Sequence, residues 1–407
     1  MLAAEAQQAP TRRVWHRIAG HDGVIYLDLG NEGCDVIVVD ADGWRIAKDV
    51  PVLFERRKHT LPLPLPVAGG RMEELATFLN LGCWDDYVLV TSWLLGCLRG
   101  KPPYPVLLLE GEPGSAKSTT ARILKELIDP SATRSRGAPR TEQDLGIAAR
   151  HDHTLIFDNL SALTPSLSDG LCRLSTGGCV ASRELYTNFG EIVLVLGNPA
   201  IITAVTNPVT RGDLLDRCLC LQLPRLHRTS RRTEEDHLRD FEEARPRILG
   251  ALLDAVSAAL RCSRTTTFDG DIRMLDFARW AAAAEDALGW FPGTVATALT
   301  SNKRNADIVA IEASSLATAL LAWLEAGPVA HCEMTVSELD AAIKAFLKPD
   351  WPSDWPRGPA QFSAALRRLA PNLRHEGVVV QFTRSGSRRL VRIDGRKYVG
   401  RLAEGAA

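Results

Sequence analysis

At 407 residues, with 45% hydrophobic and 24% charged residues, the chain is a globular protein of two or three domains, neither fibrous nor disordered. Its formal net charge of −1 excludes a protein that holds nucleic acid through overall basicity, so any such role rests on local clusters. Nine cysteines lack paired metal spacing: Cys218 and Cys220 have only His227 nearby, so a zinc site is not expected and the thiols read as reduced.

Residues 1–12 read as a tail. Short alternating runs follow, Val24–Asp28 and Val36–Asp40 among them, separated by turns such as Asp42-Gly43; they predict a small β-rich domain over 13–66. The Pro-rich stretch 61–70 reads as a linker and 72–97 as a helix. From 104 to 224 the pattern alternates strand and helix, which predicts an α/β fold with a parallel sheet and a core domain over 71–228. The Ala-, Leu- and Arg-rich region 229–326 predicts an all-helical domain. Beyond Thr335, two helices and a hairpin suggest a winged helix over 333–402.

The apolar run 104–110 leads into Gly111, Glu112, Pro113, Gly114, Ser115, Ala116, Lys117, Ser118 and Thr119. A buried strand, a glycine loop and a helix opening on Lys-Ser-Thr form a phosphate cradle. Backbone N–H groups converge on the phosphates, the lysine reaches the terminal ones, and the serine hydroxyl ligates magnesium. ATP and Mg²⁺ are the expected ligands. Ala116 stands where the pattern has its second glycine. At φ > 0 its Cβ would cost about 1 kcal/mol or more; in the first helical turn it would cost little. The second case is the expectation.

Thr154–Asp158 is a short apolar strand ending in an acid, so Asp158 is expected to hold the metal through water. Asn159 follows where a water-activating glutamate is common; either it orients water or the base lies elsewhere, with Asp169 and Glu184 as further acids. The run 192–198 reads as another core strand, whose terminal Asn198 would sense the γ-phosphate; simple Asn-Pro turn chemistry is the alternative. Between the two strands, 176–191 suggests an inserted hairpin. Arg217, before the last core strand, would point at a neighbouring subunit's γ-phosphate, unless it pairs with Asp213 or Asp216. Arg273, at the start of a helix, would sense nucleotide from the helical domain or be a solvated helix-end charge.

In this order the motifs resemble AAA+ ATPases, and within them the clade with a hairpin before sensor 1 that includes the superfamily 3 helicases. Phe157–Ser161, Leu167–Leu174, Arg183–Tyr186 and Asp213–Arg217 look like the ATPase part of prophage primase-helicase proteins. The resemblance covers roughly 14–400. It implies a homo-oligomeric ring, hexameric by preference, and an ATP-dependent helicase or translocase of phage or mobile-element origin. The chain has no room for the family's primase module, so a separate primase or other replication or defence partner is expected. A nucleotide-switched DNA-binding, loader or defence ATPase without unwinding is the alternative.

From Thr335 onward thirteen Lys or Arg stand against seven Asp or Glu. Arg367, Arg368 and Arg374 cluster on the second helix, and Arg384, Arg388, Arg389 and Arg392 on the wing. Such a basic face suits duplex or forked DNA through its phosphates, and single-stranded or forked DNA is the partner expected of the whole chain; a solvated face or a docking module is the alternative. Arg183 and Phe189 of the inserted hairpin would face a ring pore. No apolar run reaches membrane-spanning length and no signal-peptide core is evident, so a soluble cytoplasmic protein without membrane contact is expected.

Overall fold

The computed structural model describes residues 12–183, 191–226, 232–327, 330–348, 352–385 and 388–399. The chain forms two compact units, Met1–Val209 with Asp216–Thr300, and Thr210–Leu215 with Ser301–Ala407.

The first unit opens with β1 (Val14–Trp15), β2 (Ile18–His21), β3 (Val24–Asp28), β4 (Val36–Asp40), β5 (Gly43–Ala47) and β6 (Leu53–Phe54). β2 to β5 are the antiparallel meander that the alternating runs predict, and β1 pairs with β6. The expected 72–97 helix is broken into α1 (Glu73–Ala76) and α2 (Trp84–Cys97). α2 is buried without a break from Tyr87 to Cys97 and serves as a core helix.

The α/β part runs β7 (Val106–Glu110), α3 (Lys117–Ile128), α4 (Glu142–His151), β8 (Leu155–Phe157), α5 (Pro165–Thr176), β9 (Gly178–Arg183), β10 (Glu191–Leu196), β11 (Ala200–Ala204), α6 (Gly212–Leu215) and β12 (Cys218–Gln222). A parallel sheet forms in the order β12-β7-β11-β8. β7 and β11 are buried at every residue, as strands covered on both faces must be. One expectation fails here. The run 192–198 is not a core strand: β10 pairs antiparallel with β9 as a two-stranded hairpin, and β11 takes the place in the sheet. β10 exposes Val193 and Val195 while burying Leu194 and Leu196, a one-sided pattern that an all-apolar run conceals.

Three helices follow: α7 (Glu234–Cys262), α8 (Leu275–Ala282) and α9 (Thr294–Glu312), with the unit boundary inside α9. The expected separation into domains 13–66, 71–228 and 229–326 does not hold. One hydrophobic cluster runs from Ile18 through Trp93, Leu107 and Phe241 to Leu299. α7 causes this by lying along the meander: Asp254 accepts from the Trp44 indole at 2.8 Å, and the Ser257 hydroxyl donates to the Asp40 carbonyl at 2.7 Å. The Pro-rich stretch is laid against the same helix. The Val67 N–H donates to the Pro246 carbonyl, and a Cβ on Gly250 would stand 1.9 Å from the Val67 oxygen. A stretch held this closely is packed structure rather than a spacer.

The second unit contains α10 (Ser315–Ala326), β13 (His331–Thr335), α11 (Val336–Leu347), α12 (Pro359–His375), β14 (Val379–Ser385) and β15 (Arg388–Asp394). Thr335 and Glu338 close a capping box that starts α11. Leu320, Leu339, Phe362, Leu366 and Val391 form a separate core. The two helices and the hairpin fall where the sequence places them. β13 adds a third strand, giving an antiparallel sheet in the order β13-β15-β14. α6 packs on α12, where a Cβ on Gly212 would lie 3.4 Å from Asn372 Oδ1. Among the described residues no single helix is long and apolar enough to cross a membrane.

Candidate functional site

The carboxyl edge of the parallel sheet gathers the polar residues. Chain order reverses about β7, and ligands of open α/β sheets bind outside the strand carboxyl ends at such a switch point. Gly111 leaves β7 at φ 150°, and a Cβ there would meet the Leu223 carbonyl oxygen at 2.6 Å, so only glycine lets the loop start this close to β12. Gly114 turns at φ 85°. Asn80, which the sequence reading missed, ties the loop down: its Nδ2 donates to the Ser115 carbonyl at 2.9 Å and the Pro224 carbonyl at 2.6 Å.

Ala116 corrects an expectation. It is not in the first helical turn but is the N-cap of α3, left-handed at φ 61°, with no side-chain cap. A Cβ in that region costs on the order of 1 kcal/mol. Alanine has no side-chain acceptor to cap the first N–H groups of α3, so they and the helix dipole face the loop. Lys117 Nζ donates to the Gly111 and Glu112 carbonyls at 2.6 and 2.9 Å and reaches Ser115 Oγ at 3.3 Å. Burial lowers its pKa, while nearby Asp158 acts against that.

Ser118 and Asp158 are brought together. The Ser118 hydroxyl donates to Asp158 Oδ1 at 2.8 Å, and the Thr203 hydroxyl, at the end of β11, donates to the same oxygen at 2.6 Å. Asn159 is exposed and left-handed at φ 57°, its N–H donating to Thr203 Oγ1. Thr203 thus fixes both residues. It was not singled out in the sequence because it lies inside the apolar run of β11. The loop, lysine, hydroxyl and carboxylate suit a phosphate chain with a divalent cation, since the loop offers donors and Ser118 and Asp158 offer hard oxygens. Glu110, the last residue of β7, has its pKa pushed up to about 7 by burial beside this loop.

Asn198 is not at this edge. It precedes β11 at the opposite end, is 8% exposed, and its Nδ2 donates to the carbonyls of Ala149, Asp152 and His153 at 3.0, 3.0 and 3.3 Å. An amide so occupied holds backbone together and cannot sense a phosphate on the far side of the strand. The asparagine beyond the carboxyl end of β11 is Asn207, half-buried, whose Oδ1 accepts the Val209 N–H at 2.8 Å. A second Asn-Pro pair following a largely apolar run was the signal available for it.

Of the two expectations for Arg273, the exposed helix-end charge is the one the geometry matches. It precedes α8 and is exposed, and the adjacent Met274 sulfur lies 3.7 Å from Ser175 Oγ, which donates to the Tyr104 carbonyl at the amino end of β7. Arg273 therefore belongs to the edge away from Gly111. Arg217 enters β12 at that same edge, its carbonyl accepting the Val106 N–H at 2.9 Å. Arg183 ends β9. Phe189 and Glu184 lie outside the described residues.

In the second unit, Arg367 on α12 stacks on the Phe382 ring of β14, 3.7 Å from its centroid, and Arg368 is exposed. Arg388 and Arg389 are exposed on β15, and Arg389 stands directly opposite Arg384 in the ladder. Like charges in register destabilise a hairpin, an arrangement that a polyanion would relieve.

The fold that carries these residues is α/β, with helices around a parallel four-stranded sheet. The chain belongs to the family of actinomycete integrative conjugative element replication proteins, whose family model matches residues 72–302. The model of the AICE RepA C-terminal domain matches residues 316–402. No curated protein matches the chain. Similar solved structures include the A form apo structure of the NrS-1 C-terminal region, at 12% identity and TM-score 0.38, covering 91% of this chain and 97% of that one. A second apo structure of that region is similar at 12% identity and TM-score 0.36, covering 91% and 96%.

Proposed function

We propose that this mobile-element replication protein is an ATP-driven AAA+ motor that unwinds or translocates DNA and hydrolyses ATP between subunits of a ring. The observation that carries the reading is the 2.8 Å hydrogen bond from Ser118 to Asp158, set beside Lys117 and a glycine loop at the carboxyl end of the central strand. In this reading Gly111 to Thr119 hold the phosphates, and Ser118 and Asp158 hold Mg²⁺. A cation held there would neutralise charge on the transferring phosphoryl group. Asn207 takes the γ-phosphate-sensing role in place of Asn198. Asn159 cannot act as a base, and Glu110, whose pKa burial raises to about 7 at the end of β7, is the candidate for exchanging a proton with attacking water. Arg217 stands at the edge away from its own loop, which suits service to a neighbouring subunit. α10 to β15 act as a winged helix, with Arg367, Arg368, Arg388 and Arg389 on DNA phosphates.

The second reading is an ATP-switched DNA-binding protein that does not unwind, and Asn159 in place of an acid is what favours it. The test is ATP hydrolysis beside strand displacement on a forked duplex, using the full chain. Lys117→Ala and Asp158→Asn are each expected to lower both rates a hundredfold or more. Hydrolysis stimulated by single-stranded DNA with no displacement would select the switch. Hydrolysis that survives Lys117→Ala at full rate would sink both readings.

A further inference from the structure

In the first unit, at the other end of β7 from Gly111, a cavity of about 1020 Å³ opens between the β2–β3 turn, the turn at 99–101, the carboxyl end of α7 and α8. Six Lys or Arg side chains line it against two carboxylates, Asp22 and Asp276. Two of the cations are structural: Arg279 donates to the Thr266 and Ser263 carbonyls, and Arg261 to the Ala41 carbonyl. The others are not used in this way. Arg99 has a side chain only 9% exposed, its nearest carboxylate oxygen is 3.9 Å from Nη2, and its buried Nη1 has no hydrogen-bond partner. Burial of a guanidinium donor without an acceptor is unfavourable, and an anion in the cavity would supply that acceptor. Lys101 and Arg264 are exposed at the rim, and Arg13 lies over the half-buried Trp15 ring, 3.6 Å from its centroid.

The shape of this charge selects the anion. Arg13, Lys101 and Arg264 come from three separate segments of the lining, and all three are exposed. The carboxyl end of α7 forms one wall, where the helix dipole disfavours a compact, multiply charged phosphate. A chain with one charge per unit can follow the rim instead, and Trp15 supplies a face on which a base can stack.

We propose that this cavity binds the phosphodiester backbone of single-stranded DNA. Arg99 takes a phosphate oxygen inside, Lys101 and Arg264 hold neighbouring phosphates, and Trp15 stacks a base as Arg13 moves to a phosphate. The proposal rests on the reading of this chain as a protein that acts on DNA, and it adds a contact remote from the glycine loop and from the second unit's arginines.

The test is fluorescence anisotropy of a labelled 20-nucleotide oligo(dT) with the full-length protein across a salt series. Each lost phosphate contact lowers the slope of log K against log salt by about 0.7 for single strands, so Lys101→Ala/Arg264→Ala should reduce it by about 1.4. Trp15→Ala should weaken binding roughly 5- to 150-fold, the worth of one stacked base. DNA-free ATP hydrolysis and the melting temperature of the double variant should match wild type, since both residues are exposed. A double variant with wild-type slope and affinity overturns this site, while wild-type binding leaves the DNA reading standing. Wild-type protein that does not bind the oligonucleotide overturns both. A thermal shift with inorganic pyrophosphate that the double variant loses, at unchanged oligonucleotide slope, assigns the cavity to a free phosphate compound and also overturns the proposal.

Discussion

β11 starts after Asn198-Pro199 and stops before Asn207-Pro208, and its two ends are used in opposite ways. At the amino end, polar groups consume one another. Arg17, 1% exposed, donates to Asp129 at 3.1 Å and to the carbonyls of Asp28, Leu61 and Pro130, while Lys125 lies within 3.5 Å of both Asp129 and Asp152. Asn198 closes that network with its three carbonyls. At the carboxyl end Ser118 is exposed, Asp158 is half-buried, and three residues sit in left-handed backbone: Gly114, Ala116 and Asn159. Charge that is buried and saturated serves stability, whereas charge left facing solvent on strained backbone is available for chemistry.

Asp129→Ala should break the comparison most forcefully. It leaves Arg17 buried without its carboxylate and Lys125 with Asp152 alone, and the loss of stability should reach about 3–5 kcal/mol, read by denaturant melts. If activity falls while stability holds, the amino edge is not structural. The asparagines form a paired test of smaller size. Asn198→Ala should cost about 1–3 kcal/mol for its orphaned carbonyls and leave kcat of the folded fraction near wild type. Asn207→Ala should lower kcat roughly tenfold or more with little change in melting. An exchange of these outcomes would restore Asn198 as the phosphate sensor. Ala116→Gly should add up to about 1 kcal/mol, the relief of the left-handed Cβ less the freedom gained by the unfolded chain; a lowered melting temperature would deny the strain.

The two edges should also titrate with opposite sign. His153, at the amino edge, has its pKa pulled down to about 4 by burial, from an ordinary value of 6.5. Between those values the unfolded state binds the extra proton, so stability rises with pH from about 4 to 6.5. Glu110 does the reverse. Raised to about 7 from 4.5, it keeps its proton when folded, so stability is full at the acid end and falls as pH rises through that window. Glu110→Gln should therefore gain stability over wild type at pH 8 and not at pH 4. The same gain at both would remove the titration argument.

The glycine loop and Asp158 were legible because strand, loop and helix are contiguous and their chemistry is local. The hairpin was legible as an insertion but not in its extent. Residues 191–196 and 200–204 are both almost wholly apolar, and only packing shows that one is half-solvated and the other fully covered. That ambiguity alone set Asn198, rather than Asn207, beyond the end of a core strand. The place of Arg273 was hidden for a different reason: helical periodicity locates α8 along the chain but not the sheet edge it approaches. The core shared by the meander, the sheet and the helices was hidden because α7 reads as an ordinary amphipathic helix, and nothing local reveals that it lies along the meander.

The left-handed backbone at Asn159 carries a consequence for engineering. Asparagine and aspartate enter this region at little cost because their short side chains bond locally, whereas longer residues pay for it. An acid grafted here to quicken turnover would have to be aspartate, since glutamate would tend to unwind the turn that holds its own backbone N–H on Thr203. The fold thus limits which catalytic acids this position can accept.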